Sequence, residues 1–330
     1  MGLLDFLKGR GGGDDDDLPE GSSGEGDRAA PDDAPDSEEV REQDIARIEA
    51  GGIPFAAEQR LKELAAGTTG FTSGLSVADF ALTRLEAIRP VCQVMGTSVY
   101  KVGWQRYPWS TGWRTGAQLT ELDALTHAWN DARARALARL AEEAAHAGCH
   151  AVVDVTFENR RHDFLADEIE IVVNGTAVHL PEGGTADRPI LTDLSMPDYV
   201  LLRRGGYAPV GVVASTSVFY VVPSYDTRRL TTGWQRFQAN QELTDFTQGI
   251  YAARERALGR ANDQATRLGA GGLVGMNVEH RVEIREVEQN DNKREDLIIT
   301  FHVLGTAIAP HGDHLRLDPQ TIVRLGASTP

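Results

Sequence analysis

Cys149 and His150 stand side by side, and His311, Asp313 and His314 form a second compact group near the C-terminus. Thiolate and imidazole are the donors that soft divalent transition metals select. Cys149, His150, His311 and His314 are therefore the chain's candidate metal ligands. The pattern around them is sparse: no C-x-x-C motif is present, and adjacent residues on an emerging strand point to opposite faces. The competing reading makes Cys149 a small core residue and the histidines of the C-terminal group part of a solvated tail. No strand is followed by a Gly-rich phosphate loop, and neither G-x-S-x-G nor H-E-x-x-H occurs. Thr97-Ser98 and Thr216-Ser217 are paired hydroxyls in strand-like runs with no histidine placed equivalently beside them, so cross-strand hydrogen bonding explains them better than nucleophilic catalysis. The residues call for no catalytic machinery and no organic cofactor.

The elements that would position these side chains come in duplicate. Leu75 to Val99 lies over Leu194 to Val218 without a gap, with 11 of 25 positions identical, and an internal repeat outranks any local motif. The candidate ligands do not follow it: His150 aligns with Gly271, Cys149 with Ala270, His127 with Gln248, His146 with Arg267 and His179 with Ala309. Metal binding is thus no part of the duplicated design, although a symmetric assembly could build a site from one ligand per chain.

Each copy opens on Leu-Ser with Asp three residues after the Ser (Ser76 to Asp79, Ser195 to Asp198), which resembles a capping box. An apolar β-branched run after Pro90 or Pro209 predicts a strand. A long helix follows, with Leu122, Leu125, Trp129, Ala132, Ala136, Leu140, Ala144 and Ala147 on one face; Leu243, Phe246, Ile250, Ala253, Ala257, Ala261, Ala265 and Leu268 repeat that stripe. Its alanines imply close approach to a sheet, and Gly148 or Gly269 closes the helix. Two more strands complete the copy. One helix covers one face of such a sheet, so the other face needs the sister repeat or a neighbouring chain.

Charge is concentrated outside the repeats. Of a formal net charge of −16, residues 1 to 40 carry −10, so acidity belongs to a tail, and the basic footprint that nucleic-acid binding needs is missing. Residues 11 to 39 have the composition of a disordered tether. Before them, MGLLDFLKG offers Leu3, Leu4, Phe6 and Leu7 as an apolar docking peptide for a partner groove or a membrane surface. Trp104 and Trp109, in the loop before the first long helix, are candidates for a contact made by the first copy alone. No signal peptide and no run of eighteen apolar residues is present, and two cysteines suit a reduced, cytoplasmic protein.

The helix end with its following strand (AHAGCHAVVDVTF and TRLGAGGLVGMNV), together with the strand endings NGTAV and LGTAI, resembles the YbjQ-like family of heavy-metal-binding domains. The resemblance covers residues 75 to 310. It implies a small β-α-β-β domain that assembles into a ring, typically a homopentamer whose sheets form a shared barrel-like wall, and it carries the family's metal label. The fold expected is α+β, two tandem β-α-β-β repeats forming an oligomeric ring. The layout is an N-terminal peptide and acidic linker (1–40), a helical docking segment (41–74), a first repeat (75–182), a second repeat (192–310) and a tail (311–330). The function expected is a non-enzymatic self-assembling scaffold whose partner is itself. The alternatives are a metal-handling protein and a membrane-peripheral adaptor working through the N-terminal peptide.

Overall fold

In the computed structural model the described residues are 38–108, 116–161, 168–231, 240–289 and 292–311. Two compact units divide the chain, Met1–Glu42 and Gln43–Pro330; of the first, only the opening of α1 (Glu38–Glu49) is described. Everything below concerns the second unit.

After α1 come α2 (Phe55–Ala65) and α3 (Val77–Leu85), then β1 (Arg89–Lys101), β2 (Gln118–Glu121), α4 (Asp123–His146), β3 (Ala151–Arg161) and β4 (Glu168–His179). The second copy follows as β5 (Ile190–Leu191), α5 (Met196–Arg204), β6 (Tyr207–Val222), α6 (Tyr225–Thr231), α7 (Thr244–Arg267), β7 (Gly272–Gln289) and β8 (Asn292–Pro310). The protein is α+β, with two tandem repeats in which one long helix packs on a small sheet, antiparallel except for the short parallel β3-β5 pair of the first. The expected capping box starts α3: Ser76 Oγ accepts from Asp79 N–H at 3.2 Å, and Asp79 Oδ2 accepts from Ser76 N–H at 3.3 Å. At α5, Asp198 N–H donates to Ser195 Oγ at 3.4 Å, and Ser195 Oγ in turn donates to Asp198 Oδ2 at 2.7 Å.

The two 24-residue helices α4 and α7 end at Gly148 (φ +69°) and Gly269 (φ +70°), where a left-handed residue lets the chain reverse without a Cβ clash. Their alanines bring helix and sheet together closely. A Cβ on Gly96 of β1 would lie 1.9 Å from the Ala136 carbonyl of α4; at the equivalent place Ser215 Oγ donates to the Ala257 carbonyl at 2.7 Å. The repetition extends to irregularities. Both first strands slip register after a proline, at Pro90/Cys92 and Pro209/Gly211, and both third strands bulge, at Val153/Thr156 and Val274/Asn277. Each of those later bulges holds a left-handed residue, Asp154 (φ +54°) and Gly275 (φ +64°).

Each sheet has four strands rather than three, ordered β1-β4-β3-β5 and β2-β6-β8-β7. The added strand comes from across the repeat boundary: β2 precedes the first long helix but pairs with β6, whereas β5 opens the second copy but pairs with β3. The second sheet is consequently covered on both faces. α7 packs Ala253, Ala257, Ala261 and Ala265 against Val213, Val221 and Ile299 on one side. On the other, Val218, Tyr220 and Ile298 share a core with Leu122, Trp129 and the rest of the α4 stripe. The sister repeat therefore supplies the cover that the sequence required for this sheet. The first sheet has α4 on one face; on the other, Met196, Tyr199 and Val200 of α5 close one end over Val153 and Val178.

Candidate functional site

The chemistry of this chain concentrates at the seam between the repeats, where α4 and its leading strand grip the edge of the second sheet. β2 runs antiparallel to Phe219–Val222, and Leu122 N–H continues the ladder to the Val218 carbonyl at 2.8 Å. Beyond that point side chains replace backbone. Val218 N–H donates to Thr126 Oγ1 at 3.0 Å. The amide of Asn130 spans Thr216, accepting from its N–H and donating to its carbonyl, both at 2.9 Å. A helix face thus satisfies an edge strand that would otherwise present free donors and acceptors.

Charge locks the same contact. Glu121, at the end of β2, lies 2.6 Å from Arg260 and 3.3 Å from Arg256 of α7, and its Oε1 accepts from Ser217 Oγ at 3.2 Å. One turn further along α4, Arg133 is buried and donates to Thr216 Oγ1 at 2.8 Å, with its other terminal nitrogen 3.2 Å from His302 Nδ1. Thr216 Oγ1 is 2.8 Å from the same ring nitrogen. Burial and the Arg133 charge together hold the His302 imidazole down at about 3, so it is neutral, with Nδ1 as the acceptor. Arg133 and His302 border a polar cavity of about 410 Å3 between the two sheets, also lined by Thr156, Asn159, Asp193 and Asn277. On its far side Asp193 N–H donates to Thr306 Oγ1 at 3.1 Å, and Thr306 Oγ1 is 2.9 Å from Thr192 Oγ1. The loop after β1 completes the clasp: Gln105 Oε1 accepts from Leu125 N–H at 3.1 Å, while Tyr107 packs on Tyr220 and under Arg285, whose guanidinium carbon is 3.7 Å from the ring centre.

The sequence stretch that forms the grip, residues 116–181, matches a family model described as "putative heavy-metal-binding", YbjQ-like. A curated encapsulin nanocompartment protein of Mycobacterium tuberculosis is 35% identical over 234 residues, covering 69% of this chain and 84% of that protein. The chain belongs to the YbjQ-like family. No solved structure matches it.

The metal label of the YbjQ-like family can be tested on the donors present. Cys149 is fully buried and faces the α4 core, as is Cys92; burial pushes their thiols up to about 12 and about 11, away from the thiolate a metal needs. His150, next in sequence, turns the other way. Its Nδ1 accepts from Leu180 N–H at 3.2 Å, and its ring lies edge-on to His179 with centres 5.0 Å apart. His311 is exposed at the end of β8. Among the described residues no group of three or more His, Cys, Asp or Glu converges, and the one histidine at the polar cavity has its Nδ1 engaged beside a guanidinium that repels cations. The described donors of a single chain therefore do not fit a heavy-metal ion.

Trp104 is 85% exposed and borders a surface groove with Tyr107, Tyr220 and Arg285. Leu3, Leu4, Phe6, Leu7, Trp109 and His314 lie outside the described residues. The seam residues Glu121, Asn130, Arg133 and His302 escaped the reading by motif. A signal was present for the charged ones: Glu121 aligns with Glu242, Arg133 with Arg254, and Arg135 and Arg139 with Arg256 and Arg260, polar positions that survive duplication beside an otherwise alanine-rich stripe. Among the described residues no helix is long and apolar enough to cross a membrane.

Proposed function

We propose that this protein is a non-enzymatic self-assembling scaffold, a YbjQ-like component of a nanocompartment-type assembly, built as a closed homo-oligomer with the acidic N-terminal segment as its tether. The observation that carries this reading is the strand exchange at the seam: each repeat completes its neighbour's sheet, and a module that lends a strand forward is suited to propagation from chain to chain. The relative's designation as an encapsulin nanocompartment protein supports the same class of role. The seam's polar groups are consumed in holding strands together, which favours a structural function over catalysis. In this scheme residues 2–9 act as a short docking peptide, displayed once per chain, so that weak binding to a partner protein gains avidity. A metal-handling role would have to draw donors from more than one chain or from residues outside the described ones. Native mass spectrometry of the untagged full chain tests both readings, because it counts chains and retained ions together. A closed multimer at apo mass is the expected result. A monomer overturns the scaffold, and stoichiometric bound metal would put metal handling in its place.

A further inference from the structure

The clasp that the first repeat places on the second has a counterpart in the second repeat that is empty among the described residues. Glu242, Leu243 and Thr247 occupy in the second repeat the positions of Glu121, Leu122 and Thr126, but among the described residues they grip no strand edge. Leu243 is partly exposed where Leu122 is fully buried, and Tyr251 of α7 is 61% exposed. The edge such a clasp would bind is equally open: Val99 of β1 is 62% exposed, while its equivalent Val218, under the clasp, is fully buried. Where the β6 edge meets Glu121, the β1 edge has a groove of about 420 Å3 lined by Thr97, Ser98, Val99, Tyr100, Arg135 and Arg139, with Ile48 and Pro54 at its border and the Ile48 carbonyl accepting from Arg139 Nη2 at 2.8 Å.

From this we infer that residues 240–243 and the first turns of α7 in one copy of the chain seat on the β1 edge of a second copy, with Glu242 paired to Arg135 and Arg139. The inference rests on the scaffold reading above and names its contact. Three features of the vacant seat favour this occupant. Arg135 and Arg139 align with Arg256 and Arg260, which bind Glu121, yet among the described residues no carboxylate forms an ion pair with either, and Arg139 Nε is buried without a hydrogen-bond partner. Glu242 is already set for the role, accepting from Thr247 Oγ1 at 2.9 Å as Glu121 accepts from Thr126 Oγ1 at 3.5 Å. One departure is itself matched: Tyr251 replaces the strand-capping Asn130, and the Thr97 carbonyl that such an amide would reach is held by Arg139 Nη1 at 2.5 Å. The contact is head-to-tail and repeats until it closes, so a ring made by it contains an even number of repeats.

Mixing Val99→Cys protein with Thr247→Cys protein under mild oxidation tests the contact, with each variant alone as control and Glu242→Arg read by native mass spectrometry. The expected result is a covalent dimer only in the mixture, and loss of the assembled mass in Glu242→Arg with recovery in the charge-swapped Glu242→Arg/Arg135→Glu/Arg139→Glu protein. Circular dichroism separates loss of assembly from loss of fold. A wild-type multimer that neither cross-links at this pair nor responds to Glu242→Arg overturns the contact and leaves the scaffold reading standing. A monomeric wild type overturns both.

Discussion

The side-chain amide of Asn130 hydrogen-bonds both backbone groups of Thr216, two residues separated by 86 positions and belonging to different repeats. An amide in this role imitates the next strand of the sheet. Asn130→Ala leaves a buried N–H and carbonyl without partners, which costs about 1–3 kcal/mol. Denaturant unfolding should show that loss in the midpoint with little change in slope.

Gly96 is set by contact rather than by conformation. A methyl group there would meet the Ala136 carbonyl at 1.9 Å and the Leu140 nitrogen at 2.7 Å, both backbone atoms of α4. Gly96→Ala must push the helix off its sheet, and is expected to reach or exceed the ~1–3 kcal/mol typical of overpacked cores. Thermal unfolding measures it.

The bulges of β3 and β7 use different residues for one left-handed position. At Gly275 a Cβ would also approach Leu194 to 3.0 Å, so Gly275→Ala should destabilise by about 1–2 kcal/mol. Asp154→Gly relieves the same backbone cost and should be neutral or stabilising by up to ~1 kcal/mol. A reversed order in the two unfolding midpoints would overturn this account.

His302 makes stability depend on pH. In the unfolded chain its imidazole takes up a proton as pH falls through about 6.5; in the folded protein burial and Arg133 keep it neutral down to about 3. The unfolded state therefore binds more protons between those values, and stability declines as pH falls below about 6.5, at up to ~1.4 kcal/mol per pH unit. Burial raises the carboxyls of Asp154 and Asp193, which act in the opposite sense. Comparing wild type with His302→Gln across pH 7.5 to 5 cancels them, and the variant should show the shallower decline.

Cys92 and Cys149 are buried with thiols pushed up to about 11 and about 12. A thiol-specific disulfide reagent at pH 8 should label neither in the native protein and both after denaturation. Rapid native labelling of Cys149 would reopen its candidacy as a metal ligand.

Regular features were legible where local sequence carries the energy. The stripe from Leu122 to Ala144 and its repetition in α7 follow from the 3.6-residue period, and Ser76 with Asp79 and Gly148 with Gly269 mark helix ends through groups only a few residues apart. The unequal burial of the two stripes was not legible. Leu122 and Trp129 are enclosed because the second sheet lies against them, whereas Leu243 and Ile250, at the same places in the pattern, meet no such second sheet among the described residues. The metal candidates diverged for a related reason: side chains alternate in the residues that lead into β3, sending Cys149 to the core and His150 toward His179.

By itself, then, the amino-acid sequence determined the duplication, the order of the main elements in each copy (short helix, strand, long helix, two strands), the helix that covers each sheet and the segregation of acidity to the N-terminal segment. Periodicity, capping and charge are properties of neighbouring residues. Only the tertiary structure decided that β2 serves the second sheet and β5 the first, and that Glu121, Asn130 and Arg133 spend their polarity on the seam. Strand edges bind through backbone N–H and C=O groups that are the same in nearly every residue, so a four-residue strand such as QLTE carries no address. The long-range packing of α4 between its own sheet and the edge of the next supplies one.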